Sequence, residues 1–256
     1  MNHMNKKLNN ILISNDDGYK SIGLELLLNI AEQLADNIFV VSPKKNQSAK
    51  SKSITIRENI QFKEISKNFW IVDGTPTDCM IFALNYLFKK SKPDLILSGI
   101  NAGSNIGDEV SYSGTVAAAW EGAIRKIDSI ALSQFGGDDK INSYECSKAK
   151  GYDIINYLLQ IKSKSPKFYN VNFPYVLTSN IDDIKSSFTT LASQKIADEI
   201  FFNEDFSSFS IGRMINNHKS LTNTDLECLQ KNKISITPLS LNLSNNEFLN
   251  KVNNDF

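Results

Sequence analysis

Ile11-Leu-Ile-Ser-Asn-Asp-Asp-Gly18 is the stretch on which the fold turns. Its first four residues are an apolar run too short for a helix, and its last four are turn formers. It therefore reads as a strand that stops at a loop. Ile22, Leu26, Ile30 and Leu34 then recur at helical spacing, and Asn37–Ser42 is a second strand. Pro93–Ser98, Ser129–Leu132 and Phe168–Phe173 are further strands. Between them Thr75 caps a helix with Pro76 at its first position and Asp78 in its first turn, predicted to run to about Lys89. Two more helices are expected at Thr115–Ile124 and near Tyr144–Ile161. Strands apolar on both faces, alternating with helices, mean a parallel sheet covered on two sides. The fold class is α/β: a Rossmann-like, doubly wound, mainly parallel sheet, which binds ligands beyond the carboxyl ends of its strands.

Beyond Pro174 the pattern changes to a β-rich C-terminal extension. A hairpin is expected from Phe201-Phe202 with Phe206–Ile211, and a late strand at Ile234–Thr237. From Leu241 the chain is polar and Asn-rich, and loose order is expected there.

Composition removes several function classes. The 256 residues carry 28 Lys+Arg and 28 Asp+Glu, so the charge gives no case for nucleic acid or a membrane surface as partner. No apolar run approaches the roughly 18 residues of a membrane helix, and the first ten residues lack a signal-like apolar stretch. Cys79, Cys146 and Cys228 are odd in number and widely spaced, which suits a reduced cytoplasmic protein without a disulfide framework. Neither G-x-G-x-x-G nor G-x-x-x-x-G-K-[ST] is present. With only His3 and His218, a zinc site and a Ser-His-Asp triad are both disfavoured; His218 reads as a surface or packing residue.

Three loops follow predicted strands and converge on one edge of the sheet: Asn15-Asp16-Asp17-Gly18, Lys44–Ser48, and Gly99–Asn105 with Asn101. Two carboxylates, a hydroxyl and an amide oxygen form a hard oxygen set suited to Mg²⁺ or Mn²⁺. Ser111-Tyr-Ser-Gly-Thr115 leads into the third helix, so N–H groups at its N-terminus, with the Ser113 and Thr115 hydroxyls and the small Gly114, suit an anion. Taken alone that segment reads equally well as a capped helix. Two ionised aspartates would repel a phosphate dianion by ~4 kcal/mol per charge pair at about 4 Å and an effective dielectric near 20, so phosphate binding should need a cation.

Leu12–Gly18, Ser42–Ser48, Gly74-Thr-Pro-Thr-Asp-Cys79, Pro93–Gly107 and Tyr112–Ala119 together resemble the survival protein SurE family. Asn170–Pro174, Thr224-Asp225 and Ile236–Leu239 resemble its C-terminal landmarks. The resemblance implies a metal-dependent nucleotidase acting on nucleoside monophosphates, with 3′-nucleotides or short polyphosphate as further substrates. It implies one divalent cation per subunit on Asp16, Asp17, Ser48 and Asn101, and phosphate held by Ser113, Gly114 and Thr115 with Asn105 nearby. It also implies one α/β domain over 8–256, with its core at 8–175, an oligomerising extension at 176–240 and a tail at 241–256, in a homodimer or tetramer. Two departures stand out: Tyr19-Lys-Ser-Ile-Gly23 lacks the family's usual proline, and Ala49 replaces the glycine after the ligand serine.

The chemistry expected is in-line attack of water on a phosphomonoester, the metal polarising the phosphoryl group and lowering the water's pKa. Asp16, Asp17 and Asn101 are the catalytic candidates, with either aspartate available as base. Three alternatives stay open: an aspartyl-phosphate phosphotransferase (though D-x-D is absent), a nucleotide- or phosphate-binding sensor without turnover, and a structural oligomerisation protein.

Overall fold

Strand β1, Leu8–Ser14, shows in three residues why the sheet is covered on both sides. Ile11 and Ile13 point into one apolar cluster and Leu12 into another, and all three are fully buried. The structure, a computed structural model, describes residues 7–136, 144–176, 180–193, 195–196, 199–212, 215–216 and 222–253. After β1 come α1 (Ile22–Leu34), β2 (Ala35–Pro43), β3 (Phe62–Ser66), β4 (Phe69–Val72) and α2 (Pro76–Phe82), which runs on into a π-helical turn at Ala83–Leu87. Then follow β5 (Leu95–Ala102), a 3₁₀ turn at Gly107–Ser111, α3 (Gly114–Ile124), β6 (Ser129–Gln134), α4 (Glu145–Gln160) and β7 (Phe168–Phe173). The extension holds β8 (Ser186–Phe188), β9 (Lys195–Ile196), β10 (Ile200–Phe202), β11 (Phe209–Ile211), β12 (Ile215–Asn216), α5 (Asp225–Gln230), β13 (Ile234–Pro238) and α6 (Asn246–Asn253).

Nine strands form one sheet in the order β3-β4-β2-β1-β5-β6-β7-β13-β8. From β4 to β7 every neighbour is parallel; β3 and β13 join antiparallel at either side. Residues of α1 and α4 fill the cluster with Ile11 and Ile13, while Cys79, Met80 and Ala118 from α2 and α3 fill the one with Leu12 and Ile96. The doubly wound reading holds. The chain steps from β1 to β2 on one side and returns to β5 on the other, so the strand order reverses between β1 and β5. That crevice is where such sheets bind ligands.

Three features differ from the sequence expectation. The β3–β4 hairpin was not foreseen; β3 is exposed along its whole length and so lacks the buried alternation by which a strand is recognised. β5 does not stop at Ser98. It continues through a bulge in which three steps from Ser98 to Asn101 oppose two from Ala131 to Ser133, and this carries Asn101 to the strand end. The tail is not uniformly loose: α6 forms there, its first turn capped by Asn245 Oδ1, which accepts from the Phe248 N–H at 2.8 Å. The expected hairpin is present as β10 paired with β11.

Candidate active site

Asn15, the first residue past β1, holds the first loop in shape. Its Oδ1 accepts from Ser42 Oγ at 2.6 Å, and its Nδ2 donates to the Gly18 carbonyl and to Ser21 Oγ, both at 2.9 Å. Ser21 Oγ in turn accepts from Leu24 N–H and caps α1. Gly18 has φ +93°, and a Cβ there would lie 3.1 Å from the Lys45 carbonyl carbon, so the loops after β1 and β2 touch. Sequence reading did not assign Asn15 a role. Its signal, a polar residue at the strand end, is shared with every turn.

This turn delivers Asp16 and Asp17 to the β1–β5 crevice. Asp16 is 3% exposed; its Oδ1 accepts from the Thr115 hydroxyl, and its carbonyl accepts from Gln47 N–H at 2.7 Å. Asp17 Oδ2 accepts from Ala102 N–H at 3.0 Å, next to Asn101. Asn101 Nδ2 donates to the Gly103 carbonyl at 3.0 Å, which leaves the amide oxygen as the acceptor end. Ser48, next to Gln47, is exposed, its N–H donating to Asn46 Oδ1 at 2.8 Å.

Gly114 packs so closely that a Cβ there would lie 2.8 Å from Asp16 Cβ and 3.0 Å from Pro76 Cγ. Thus Asp16, Asp17, Asn101, Gly114 and Thr115 come together, with Ser48 one residue from Gln47, which bonds Asp16. Ser113 is the N-cap of α3, its Oγ accepting from Val116 N–H at 3.1 Å. Asn105 is buried, and its Nδ2 donates to Ser133 Oγ at 2.8 Å. His3 and His218 lie outside the described residues.

Burial pushes the Asp16 carboxyl up to about 6; the Thr115 hydroxyl works against this and the charge of Asp17 adds to it. Burial also raises Asp17, with Ala102 N–H holding it down. Among the described residues neither aspartate has an ion-pair partner. A buried carboxylate next to a half-buried one is costly to keep ionised unless a cation is shared between them. No cluster of three or more His, Cys, Asp and Glu is found among the described residues; the side chains set beside the two aspartates are those of Thr115 and, next to Ala102, Asn101. The donor set fits a hard divalent ion.

The loop after β2 explains one departure. Ala49 has φ +58° and Ser51 φ +52°, a conformation costing an L-residue on the order of 1 kcal/mol. The position after Ser48 thus calls for a left-handed residue, a conformation glycine adopts freely and one that leaves Ala49 strained. Ser51 holds the loop by donating from N–H to the Tyr112 carbonyl and from Oγ to the Ser111 carbonyl.

Residues 11–198 match the family model described as survival protein SurE. The chain belongs to the SurE family. It is 39% identical over 240 residues to a protein from Paramagnetospirillum magneticum named 5′-nucleotidase SurE, covering 93% of this chain and 92% of that one. A protein of the same name from Azorhizobium caulinodans is 37% identical over 233 residues, covering 90% and 91%. The crystal structure of the SurE protein from Aquifex aeolicus superposes with a TM-score of 0.82 at 31% identity, covering 95% of this chain and 98% of that one. The SurE match takes in every site residue named above and stops short of α5 and β13.

Proposed function

We propose that this chain is a divalent-metal-dependent 5′-nucleotidase that hydrolyses nucleoside monophosphates to nucleoside and phosphate. The observation that carries the chemistry is buried Asp16 beside half-buried Asp17, neither ion-paired among the described residues, set against a helix N-terminus; the substrate class follows the SurE relatives. Asp16, Asp17, Ser48 and Asn101 would hold one Mg²⁺ or Mn²⁺, which supplies positive charge to the phosphoryl oxygens. The first-turn N–H groups of α3 have no intrahelical acceptors. Val116 spends its own on Ser113, and Asp16 draws on Thr115, which leaves the Gly114 N–H and the Ser113 hydroxyl proton for phosphate oxygens. These donors are aimed before substrate arrives, so charge developing on the equatorial oxygens is met without reorganisation. As the bond from water to phosphorus forms and the ester bond breaks, Asp16 or Asp17, with an ionised oxygen left free by the metal, would take the water's proton, and the nucleoside oxygen leaves as a hydroxyl with a proton from solvent.

The test is phosphate release from 5′- and 3′-nucleotides and short polyphosphate with Mn²⁺, with Mg²⁺ and with chelator. Release should need metal, favour 5′-nucleotides and vanish in Asp17→Asn with the fold intact. Retained metal-dependent turnover in that variant would remove Asp17 from the ligand set. Nucleotide binding with no release over hours would favour the sensor reading instead.

Three buried free cysteines suit a reducing cytoplasm, and among the described residues no helix is long and apolar enough to cross a membrane. We also assign self-association to the extension. Ile200, Phe201, Phe202, Phe206, Phe209 and Ile211 on the β10–β11 hairpin are each more than half exposed, an apolar patch that calls for a partner surface. Light scattering should show a dimer or tetramer that Phe201→Ser with Phe209→Ser dissociates; a monomeric wild type would overturn this.

A further inference from the structure

Between Asn101 and Ser113 the chain crosses Asn105-Ile106-Gly107, which leads into the 3₁₀ turn at Gly107 and whose backbone N–H groups are satisfied by side chains. Asn105 N–H donates to Asn172 Oδ1 at 2.7 Å, and the Asn105 carbonyl accepts from Asn170 Nδ2 at 2.7 Å and Asn172 Nδ2 at 3.1 Å. Ile106 N–H donates to Glu109 Oε2 at 3.0 Å. Gly107 N–H donates to Asp225 Oδ2 at 2.8 Å, across 118 residues.

Asp225 is fully buried at the start of α5. Its other oxygen accepts from Ala192 N–H at 2.8 Å and from Leu226 N–H at 2.9 Å. One carboxylate therefore joins three pieces of chain: α5, the root of the arm that leads into β9 and β10, and the segment entering the 3₁₀ turn before Ser113. The fit is close on the opposite side too, since Gly107 has φ +53° and a Cβ there would lie 2.5 Å from the Ala192 carbonyl oxygen. Burying a carboxylate is unfavourable unless its lone pairs are filled, and here backbone N–H groups from separate segments fill them.

We infer that Asp225 is a positioning residue for phosphate binding, fixing through Gly107 the turn that presents Ser113 and Gly114, and thereby tying the arm of the extension to the site. The inference rests on the phosphate role proposed for the α3 N-terminus. Metal binding is held separately, because Asp16, Asp17 and Ser48 hang from the β1 and β2 loops and Asn101 is fixed at the end of β5 by pairing with Ser133 of β6.

Asp225→Asn is the discriminating variant. The amide oxygen satisfies Ala192 and Leu226 together, which turns the NH₂ group toward the Gly107 N–H, donor against donor. The KM for the nucleotide and the inhibition constant for inorganic phosphate should both rise by about ten- to a hundredfold, with Mn²⁺ affinity, measured by calorimetry, unchanged. Asn172→Ala, which removes the acceptor for Asn105 from the β7 side, should give the same split. Unchanged phosphate constants in folded variants would overturn the inference. So would loss of metal affinity in step with phosphate affinity, or failure of both variants to fold, since either marks a general structural role. Ser113→Ala run alongside separates the failures. No effect there sinks the phosphate reading itself, whereas an impaired Ser113→Ala beside a normal Asp225→Asn sinks only the role of Asp225.

Discussion

Asp16→Asn is expected to raise the melting temperature of the metal-free protein at pH 7 while removing its turnover. Asp16 is nearly fully buried and its carboxyl is pushed up to about 6 from 3.8. Between those values the folded state binds more protons than the unfolded chain, so stability falls as pH rises through the window and the loss is complete above pH 6. Two units correspond to about 3 kcal/mol. The neutral amide avoids this penalty and keeps an oxygen for the Thr115 hydroxyl, but it brings an NH₂ that needs an acceptor, costing about 1–3 kcal/mol if none is found. The net gain is expected to be a few degrees at pH 7 and to disappear by pH 4. Added Mn²⁺ should stabilise the wild type and leave the variant where it was, reversing their order. Losing a ligand should cost at least the ten- to hundredfold typical of partners one shell further out. Calorimetric melts at both pH values, with and without Mn²⁺, decide this. A variant less stable than wild type in the metal-free state at pH 7 would refute the account, as would Mn²⁺ shifting both proteins equally.

How far the site could be read from the chain depends on sequence distance. Asp16 and Asp17 were legible because a strand, a turn and two carboxylates are consecutive, and the doubly wound order places every such loop on one edge. Phe168–Phe173 was legible as a strand because burial on both faces leaves an uninterrupted pattern in the residues themselves. Asn170 and Asn172 were visible only as parts of that strand and of a family landmark, and Thr224-Asp225 only as a landmark. Their partners, Asn105 and Gly107, lie 65 to 118 residues away, and no local periodicity encodes such a contact. The Thr115 hydroxyl is bonded to Asp16, a pairing that spans 99 residues and exists only once α3 has docked against β5 and β6. The tail helix was hidden for a different reason: its asparagines mask the helical spacing of Phe248, Leu249 and Val252.

Gly23→Ala should be among the most destabilising single substitutions in the core, against what helix propensity alone would say. Gly23 lies in the first turn of α1, where alanine would ordinarily stabilise by up to about 1 kcal/mol. A Cβ at Gly23 would sit 1.8 Å from the Ile100 carbonyl oxygen and 2.8 Å from its carbon. Both belong to backbone at the bulge of β5, so no rotamer change relieves the clash. Either α1 or β5 must move by more than an ångström. Ordinary overpacking costs about 1–3 kcal/mol, and a backbone clash this close should reach or exceed the top of that range. The contact therefore outweighs propensity. The movement would reach the site from both ends, because the cap of α1 is bonded to Asn15 and β5 carries Asn101. Gly151→Ala supplies the control: that glycine is also helical, but its added methyl would meet only the Ile30 Cδ1 tip at 2.7 Å, which can swing away. Denaturant melts should show Gly151→Ala near wild type and Gly23→Ala strongly destabilised, with weakened Mn²⁺ binding in whatever fraction folds. Equal melts for the two variants would mean that α1 and β5 are not held as closely as this packing requires.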